Sequence, residues 1–273
     1  MARLSINEIT TFRWTFDEDV QNYAVHGITG IGVWRQKLSD FGEEKAVELL
    51  ADTGMSVSSL LWAGGFTGSD GRSYRDSVAD AVEAVHLAAE LRAGSLVVYS
   101  GSRCGHTHSH ARRLFRSALQ ELVPVAAGRG VALAVEPMHP DCAADWTFLT
   151  DVDAALGLLA ALSSPTLKLV FDTYHLGQDP AILGRLPELV PWIGLVQLGD
   201  ARQPPRGEQN RCRLGEGTVP LREIIATLRA SGYDGFFEVE LLGEDLGPTD
   251  YGQLIDDSQH AFAALAGGVA QPG

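Results

Sequence analysis

The sequence predicts an α/β protein built as a single (β/α)8 TIM barrel. Three observations predict it. Short apolar runs alternate with longer amphipathic segments along the whole chain. The length, 273 residues, sits near the roughly 250 residues usual for one such barrel. The later apolar runs also end in polar side chains, the place where barrels of this kind carry their chemistry.

Eight apolar runs have strand character: Leu4–Ile9, Ile28–Trp34, Val57–Trp62, Ser95–Tyr99, Val131–Glu136, Leu167–Asp172, Ile193–Leu198 and Gly235–Leu241. Near-continuous apolar stretches such as VALAVE suit a parallel sheet covered on both faces. Between them, Asp76–Arg92 places Val78, Val82, Val85, Ala88 and Leu91 at three- and four-residue spacing, which predicts a helix. Ser109–Gly128, Thr150–Leu162, Pro220–Ala230 and Tyr251–Leu265 follow the same rule. Strands alternating with helices imply parallel pairing through crossover helices. An open doubly wound sheet would share this alternation, but no GxGxxG follows the first strand. No composition break divides the chain. Residues 1–265 are therefore expected to form one barrel, and 266–273 (AGGVAQPG) a disordered tail.

Composition excludes several function classes. The formal charge is −14 and the pI about 4.9. A nucleic-acid binder needs a basic face, and an anionic membrane repels an acidic one. Neither partner is expected. Cys104, Cys142 and Cys212 are widely spaced and form no CxxC pair, so reduced thiols in a cytoplasmic protein are expected. The start, MARLSINEIT, lacks the apolar core of a signal peptide.

The residues that end the later strands are the informative ones. Strand five runs VALAV into Glu136, strand six LKLVF into Asp172, strand seven IGLV into Gln197, and strand eight FFEV toward Glu240. In a barrel these ends converge on one mouth. A carboxylate there is costly unless paired or bound to metal. Three carboxylates and an amide oxygen in one ring call for a divalent cation. Oxygen donors favour Mn2+ or Mg2+, with Co2+ or Zn2+ as further options.

With these residues in place, the chain resembles the xylose-isomerase-like barrel superfamily, the sugar phosphate isomerase/epimerase group. The resemblance rests on AVEPM at Glu136, FDTYH at Asp172–His175, RLGEGTVPL at Arg213–Leu221 and GYDGFFEVE at Gly232–Glu240. It implies that Glu136, Asp172 and Glu240 bind one metal, with Glu238 as a rival for the last position. It also implies that His175, three residues after Asp172, and Arg211, four residues before the GEG turn, bind substrate. Arg202, Arg206 and Arg213 are alternatives to Arg211.

One departure stands out. The strand-seven ligand of the family is usually His, and this chain has Gln197 in VQLGD. An amide oxygen is a harder donor than imidazole and shifts preference from Zn2+ toward Mn2+ or Mg2+. A Gln here is similar to the bacterial 3-dehydroshikimate dehydratases of the same superfamily. The superfamily's zinc endonucleases need further histidines, where this chain has Trp62, Tyr99 and Arg211, so nuclease activity is not expected. His106, His108 and His110 look like a metal cluster but read as a solvated loop entering a helix. Trp14, Trp62 and Phe66 are candidates either for an apolar wall over the site or for core packing.

The resemblance implies an isomerase or epimerase of a keto-sugar or keto-polyol, acting by proton abstraction α to a carbonyl through a metal-stabilised enediolate. Glu136 and Glu240 would move the proton. A lyase forms the same enolate and then loses a β-leaving group, as in dehydration of 3-dehydroshikimate or an inosose, or elimination from a 3-keto-glycoside. A barrel that binds a sugar without turnover is a third reading, which the intact ligand residues oppose. No phosphate-cradling Gly-rich loop is evident. The Gly243–Tyr251 segment is a candidate contact in a homodimer.

Overall fold

The structure, a computed structural model, describes residues 2–267. Eight parallel strands close into a barrel in chain order. They are β1 (Arg3–Asn7), β2 (Gly30–Trp34), β3 (Ser56–Ala63), β4 (Leu96–Val98), β5 (Leu133–Val135), β6 (Leu167–Asp172), β7 (Ile193–Leu198) and β8 (Phe236–Val239). β1 pairs with β8 through Leu4↔Phe237 and Ile6↔Val239, which closes the ring.

The expected helices form with small shifts at their ends, as Tyr74–Glu90, His108–Arg129, Val152–Leu162, Leu221–Ala230 and Tyr251–Ala266. Four of the five starts have a side-chain cap. Ser73 accepts from the Asp76 N–H, Thr107 from that of His110, Asp151 from that of Ala154 and Asp250 from that of Gln253. A side-chain oxygen at this position satisfies an N–H that the first turn leaves without a partner. Three further helices, Phe16–Val25, Arg35–Phe41 and Glu43–Thr53, cover β1 to β3. Ala266, expected in the tail, ends the last helix; residues 268–273 lie outside the described residues.

Two apolar clusters follow from the alternation of strand side chains. One lies between sheet and helices and includes Ile6, Val33, Leu60, Val98, Val135, Phe171, Val196 and Val239. The other fills the barrel: Leu61, Val97, Ala134, Val170, Leu195 and Phe236. This inner set fixes the site. Two residues beyond an inward side chain, the next inward one falls on the same face. Ala134 is thus followed by Glu136, Val170 by Asp172, Leu195 by Gln197, and Phe236 by Glu238 and Glu240. The register places Asp172 beside Gln197 and Gln197 beside Glu238. At the opposite end, where the strands begin, a cavity of about 760 Å3 opens among Arg3, Met55, Gly94, Gly194 and Phe236. That end of a barrel serves stability.

Among the described residues no helix is long and apolar enough to cross a membrane. Cys104, Cys142 and Cys212 are all free, the last two buried.

Candidate active site

A cavity of about 470 Å3 opens at the C-terminal ends of the strands. Glu136, His175, Glu208 and Glu240 line its polar side; Trp34, Trp62, Tyr99 and Trp146 line the other. Glu136 follows β5 directly, and Asp172 is the last residue of β6. The Asp172 Oδ1 accepts from the Tyr174 N–H at 2.7 Å, so the carboxylate caps the single helical turn Thr173–Leu176 that carries His175. This is why an Asp and a His three residues apart converge: one turn of helix brings them to the same side.

Glu136, Asp172 and His175 each place a donor atom within 4.8 Å of the others. His175 Nε2 lies 3.7 Å from Glu136 Oε1, 3.6 Å from Asp172 Oδ2 and 3.6 Å from Glu208 Oε1. These are too long for hydrogen bonds. Burial pushes the His175 pKa down to about 3 against the pull of Glu208, so the imidazole is neutral and a competent ligand or hydrogen-bond partner.

Glu240 does not join that trio and sits across Arg211. Its Oε2 accepts from Asn7 Nδ2 at 3.0 Å and from Gln197 Nε2, and its Oε1 from Arg211 Nη2 at 3.4 Å. Arg211 is 2% exposed. Its Nη2 also donates to Asp172 Oδ2 at 2.9 Å and its Nη1 to Glu208 Oε2 at 2.5 Å. The guanidinium carbon lies 4.0 Å from the centre of the Tyr174 ring, which clamps the plane of the fork. Arg211 is thus packed against the carboxyls of the mouth, while Arg202 and Arg213 pair with Glu216 and Asp257.

The GEG turn explains how Arg211 is held. Asp200, two residues beyond β7, is buried and accepts from the N–H groups of Gly215, Gly217 and Val219 at 2.9, 3.0 and 3.2 Å. A Cβ on Gly217 would lie 2.0 Å from the Asp200 carboxylate, so only glycine fits. An isolated antiparallel bridge joins Asp200 to Cys212, the neighbour of Arg211.

Glu238 has a different environment from Glu240. It accepts from Ser58 at 2.6 Å, Ser59 at 2.7 Å, Asn7 at 2.8 Å and Gln197 at 3.4 Å. A Cβ on Gly32 would strike its carboxyl at 2.5 Å. It is a saturated interior group, one layer below the mouth and absent from the cavity wall.

The mouth carries an excess of acidic groups. Five carboxyls, Glu136, Asp172, Glu208, Glu238 and Glu240, face one buried cation, Arg211. Burial, then the charges of Glu240 and Asp172, push the Glu136 pKa well up. Burial raises Glu240 to about 8 against the pull of Arg211. Burial also raises Asp172, again opposed first by Arg211. Four buried acceptors have no protein partner: Glu136 Oε2, His175 Nε2, Gln197 Oε1 and Glu208 Oε1. Oxygen and imidazole acceptors in a site with excess negative charge fit a divalent cation. Gln197 turns its amide nitrogen to Glu238 and Glu240, which leaves its oxygen free for such an ion.

The structure decides between the readings the sequence left open for several side chains. Trp62 lines the cavity, but Trp14 packs edge-on against Tyr251 and Phe66 is fully buried beside Phe115. Neither touches the site. His106 meets the Thr67 carbonyl and His110 pairs with Arg113, so the histidine-rich loop forms no metal cluster. Asn7, Trp34, Met138 and Glu208 were not singled out by sequence. Glu208 carries only one signal, its place three residues before Arg211.

These features define a barrel with an acidic mouth. The chain belongs to the xylose isomerase-like TIM barrel family, whose pattern it matches over residues 20–264. It is 30% identical over 138 residues to L-ribulose-5-phosphate 3-epimerase UlaE of Escherichia coli O157:H7 (strain EC4115 / EHEC). That match spans 50% of this chain and 45% of the relative, so the two align over about half of each. Protein SMc04130 of Sinorhizobium meliloti 1021 superimposes with a TM-score of 0.89 at 28% identity, covering 96% of this chain and 98% of that one. The IolI protein with a bound zinc atom gives 0.83 at 17% identity, covering 97% and 98%. An L-ribulose 3-epimerase gives 0.80 at 18%, covering 98% and 95%. The last two share the fold.

Proposed function

We propose that the protein is a divalent-metal-dependent isomerase or epimerase of a keto-sugar or keto-polyol. One observation carries the reading: Glu136, just beyond β5, and Glu240, just beyond β8, line one cavity together. Two carboxyls in one cavity can divide the work of taking up a proton and returning one. The identity to UlaE, whose name describes an epimerase, supports the same class.

In this reading Glu136, Asp172, Gln197 and Glu240 hold the ion, Mn2+ or Mg2+ by donor type, with His175 beside it. Bound there, the ion supplies Lewis acidity toward a carbonyl and its neighbouring hydroxyl. The chain's own residues do the rest. One of Glu136 and Glu240 takes the proton from the carbon α to the carbonyl, and the other delivers a proton to the opposite face or the adjacent carbon. The neutral His175 exchanges hydrogen bonds with a hydroxyl. Arg211 lies beneath the acids, where its hydrogen bonds to Asp172, Glu208 and Glu240 hold those carboxylates in place. The test is Glu136→Gln, loaded with Mg2+. The variant keeps its circular dichroism and sugar binding and loses about 10^2-fold or more in turnover. A variant that turns over at the original rate overturns the assignment.

A further inference from the structure

The cavity is divided along the barrel. Its β5–β8 side carries the acids described above, and its β2–β4 side is aromatic. Trp34 ends β2, Trp62 lies near the end of β3, Tyr99 follows β4, and Trp146 reaches in from the segment after β5. Their rings form one cage. Trp62 lies 4.9 Å edge-on from Trp146, 5.9 Å edge-on from Tyr99 and 6.5 Å, nearly parallel, from Trp34. Ile9, Phe12, Met138 and Leu242 continue the apolar surface toward solvent. Phe12 is 45% exposed at the rim, one of only two large apolar side chains so exposed among the described residues.

The charges of the rim point the same way. Among the described residues no Lys or Arg lines the cavity, while Glu208 and Glu244 do. Arg211 is committed to Asp172, Glu208 and Glu240 beneath it. Barrels that bind phosphate often do so with the loops after the seventh and eighth strands. Here those loops bring Glu208, Gln209, Leu242, Gly243 and Glu244 to the mouth. A phosphate dianion would meet carboxylates and apolar carbon at that position, and its desolvation would go uncompensated.

We propose that the substrate is an uncharged keto-sugar bearing an apolar ring or chain, with the sugar over Glu136, His175 and Glu240 and the apolar group in the cage of Trp34, Trp62, Tyr99 and Trp146. This rests on the keto-sugar reading above and names its substrate class. A cavity of about 470 Å3 falls within the roughly 300–1,000 Å3 of sites for drug-sized ligands. Four aromatic side chains lining one side of the cavity suit a further ring, which gains from aromatic contact as well as from leaving water.

The test is titration calorimetry on the Mg2+-loaded protein with matched probes: the methyl and phenyl glycosides of one 3-keto-hexose, and a ketohexose with its 6-phosphate. The phenyl glycoside binds about tenfold or more tighter than the methyl one, as burial of a phenyl ring requires. The 6-phosphate binds more weakly than its parent ketohexose. Trp62→Ala and Trp146→Leu each erase the phenyl-over-methyl ratio. Equal binding of the two glycosides, or tighter binding of the phosphate, overturns the proposal. α-Hydrogen exchange into the same probes separates the two claims. Exchange without a phenyl preference sinks the cage alone, and a phenyl preference without exchange sinks the isomerase reading alone.

Discussion

Nη2 of Arg211 lies 2.9 Å from Oδ2 of Asp172, and both side chains are almost fully buried. The pair puts the one interior cation of the mouth between carboxylates contributed by β6, β8 and the loop after β7. Burial opposes the charge on Arg211, but Asp172, Glu208 and Glu240 outweigh it and hold the guanidinium protonated. Arg211→Met removes that counter-charge and strands three acids. The variant is expected to lose about 3–5 kcal/mol in urea unfolding without metal. Added Mn2+ is expected to restore part of the loss. Unchanged stability would show that the acids do not depend on Arg211.

Glu238 and Glu240 are two residues apart on one strand and point inward together, yet they should respond oppositely to substitution. Glu238→Gln keeps an acceptor for Asn7 and Gln197, and Ser58 and Ser59 can reorient their hydroxyls. Turnover should stay within about tenfold, with a stability change near 1 kcal/mol. Glu240→Gln should fold and lose about 10^2-fold or more in turnover. Steady-state rates and thermal melts of both variants decide it; the reverse pattern would exchange their roles.

Gln197→His replaces an amide oxygen with an imidazole nitrogen at the end of β7. Affinity for Zn2+ relative to Mn2+ should rise, read by competition with a metal-sensitive dye. An unchanged preference would show that Gln197 is not a ligand.

Away from the site, Asp80 sits between Arg35, at 3.0 Å, and Arg72, at 2.8 Å. Burial would raise its pKa, but the two arginines outweigh it and hold it below the usual carboxylate value. A lowered folded-state pKa means that the unfolded chain binds more protons in that window. This contribution is present above the ordinary Asp pKa of about 3.9 and is lost as pH falls through the folded value. Asp80→Asn should flatten the acid limb of chemical unfolding below about pH 4. An identical acid limb in the variant would contradict the pairing.

The barrel and the acidic half of its mouth were legible because their physics is local. Strand alternation makes the strand-terminal Glu136, Asp172, Gln197 and Glu240 inward-facing, and one helical turn carries Asp172 to His175. The aromatic half was less legible. An aromatic ring near the end of an apolar strand looks alike whether it lines a cavity or packs in a core, so Trp34 carries no signal of its own and Phe66 could be read either way. Glu208 lies in a polar loop where a carboxylate is unremarkable until Arg211 folds against it. Asn7 acts across the closing seam between β1 and β8, contacts more than 200 residues apart in sequence. The helices over β1 to β3 were missed because Phe16–Val25 and Glu43–Thr53 bury only a few side chains each.

Proton NMR in D2O, on the Mg2+-loaded protein with a panel of ketoses and 3-keto-glycosides, tests the central claim most directly. The account predicts deuterium at the carbon α to the carbonyl and an isomer that accumulates with every oxygen retained. An unsaturated product formed as water or an aglycone departs would make the protein a lyase. Absence of exchange in every sugar would remove the proposed proton transfer altogether.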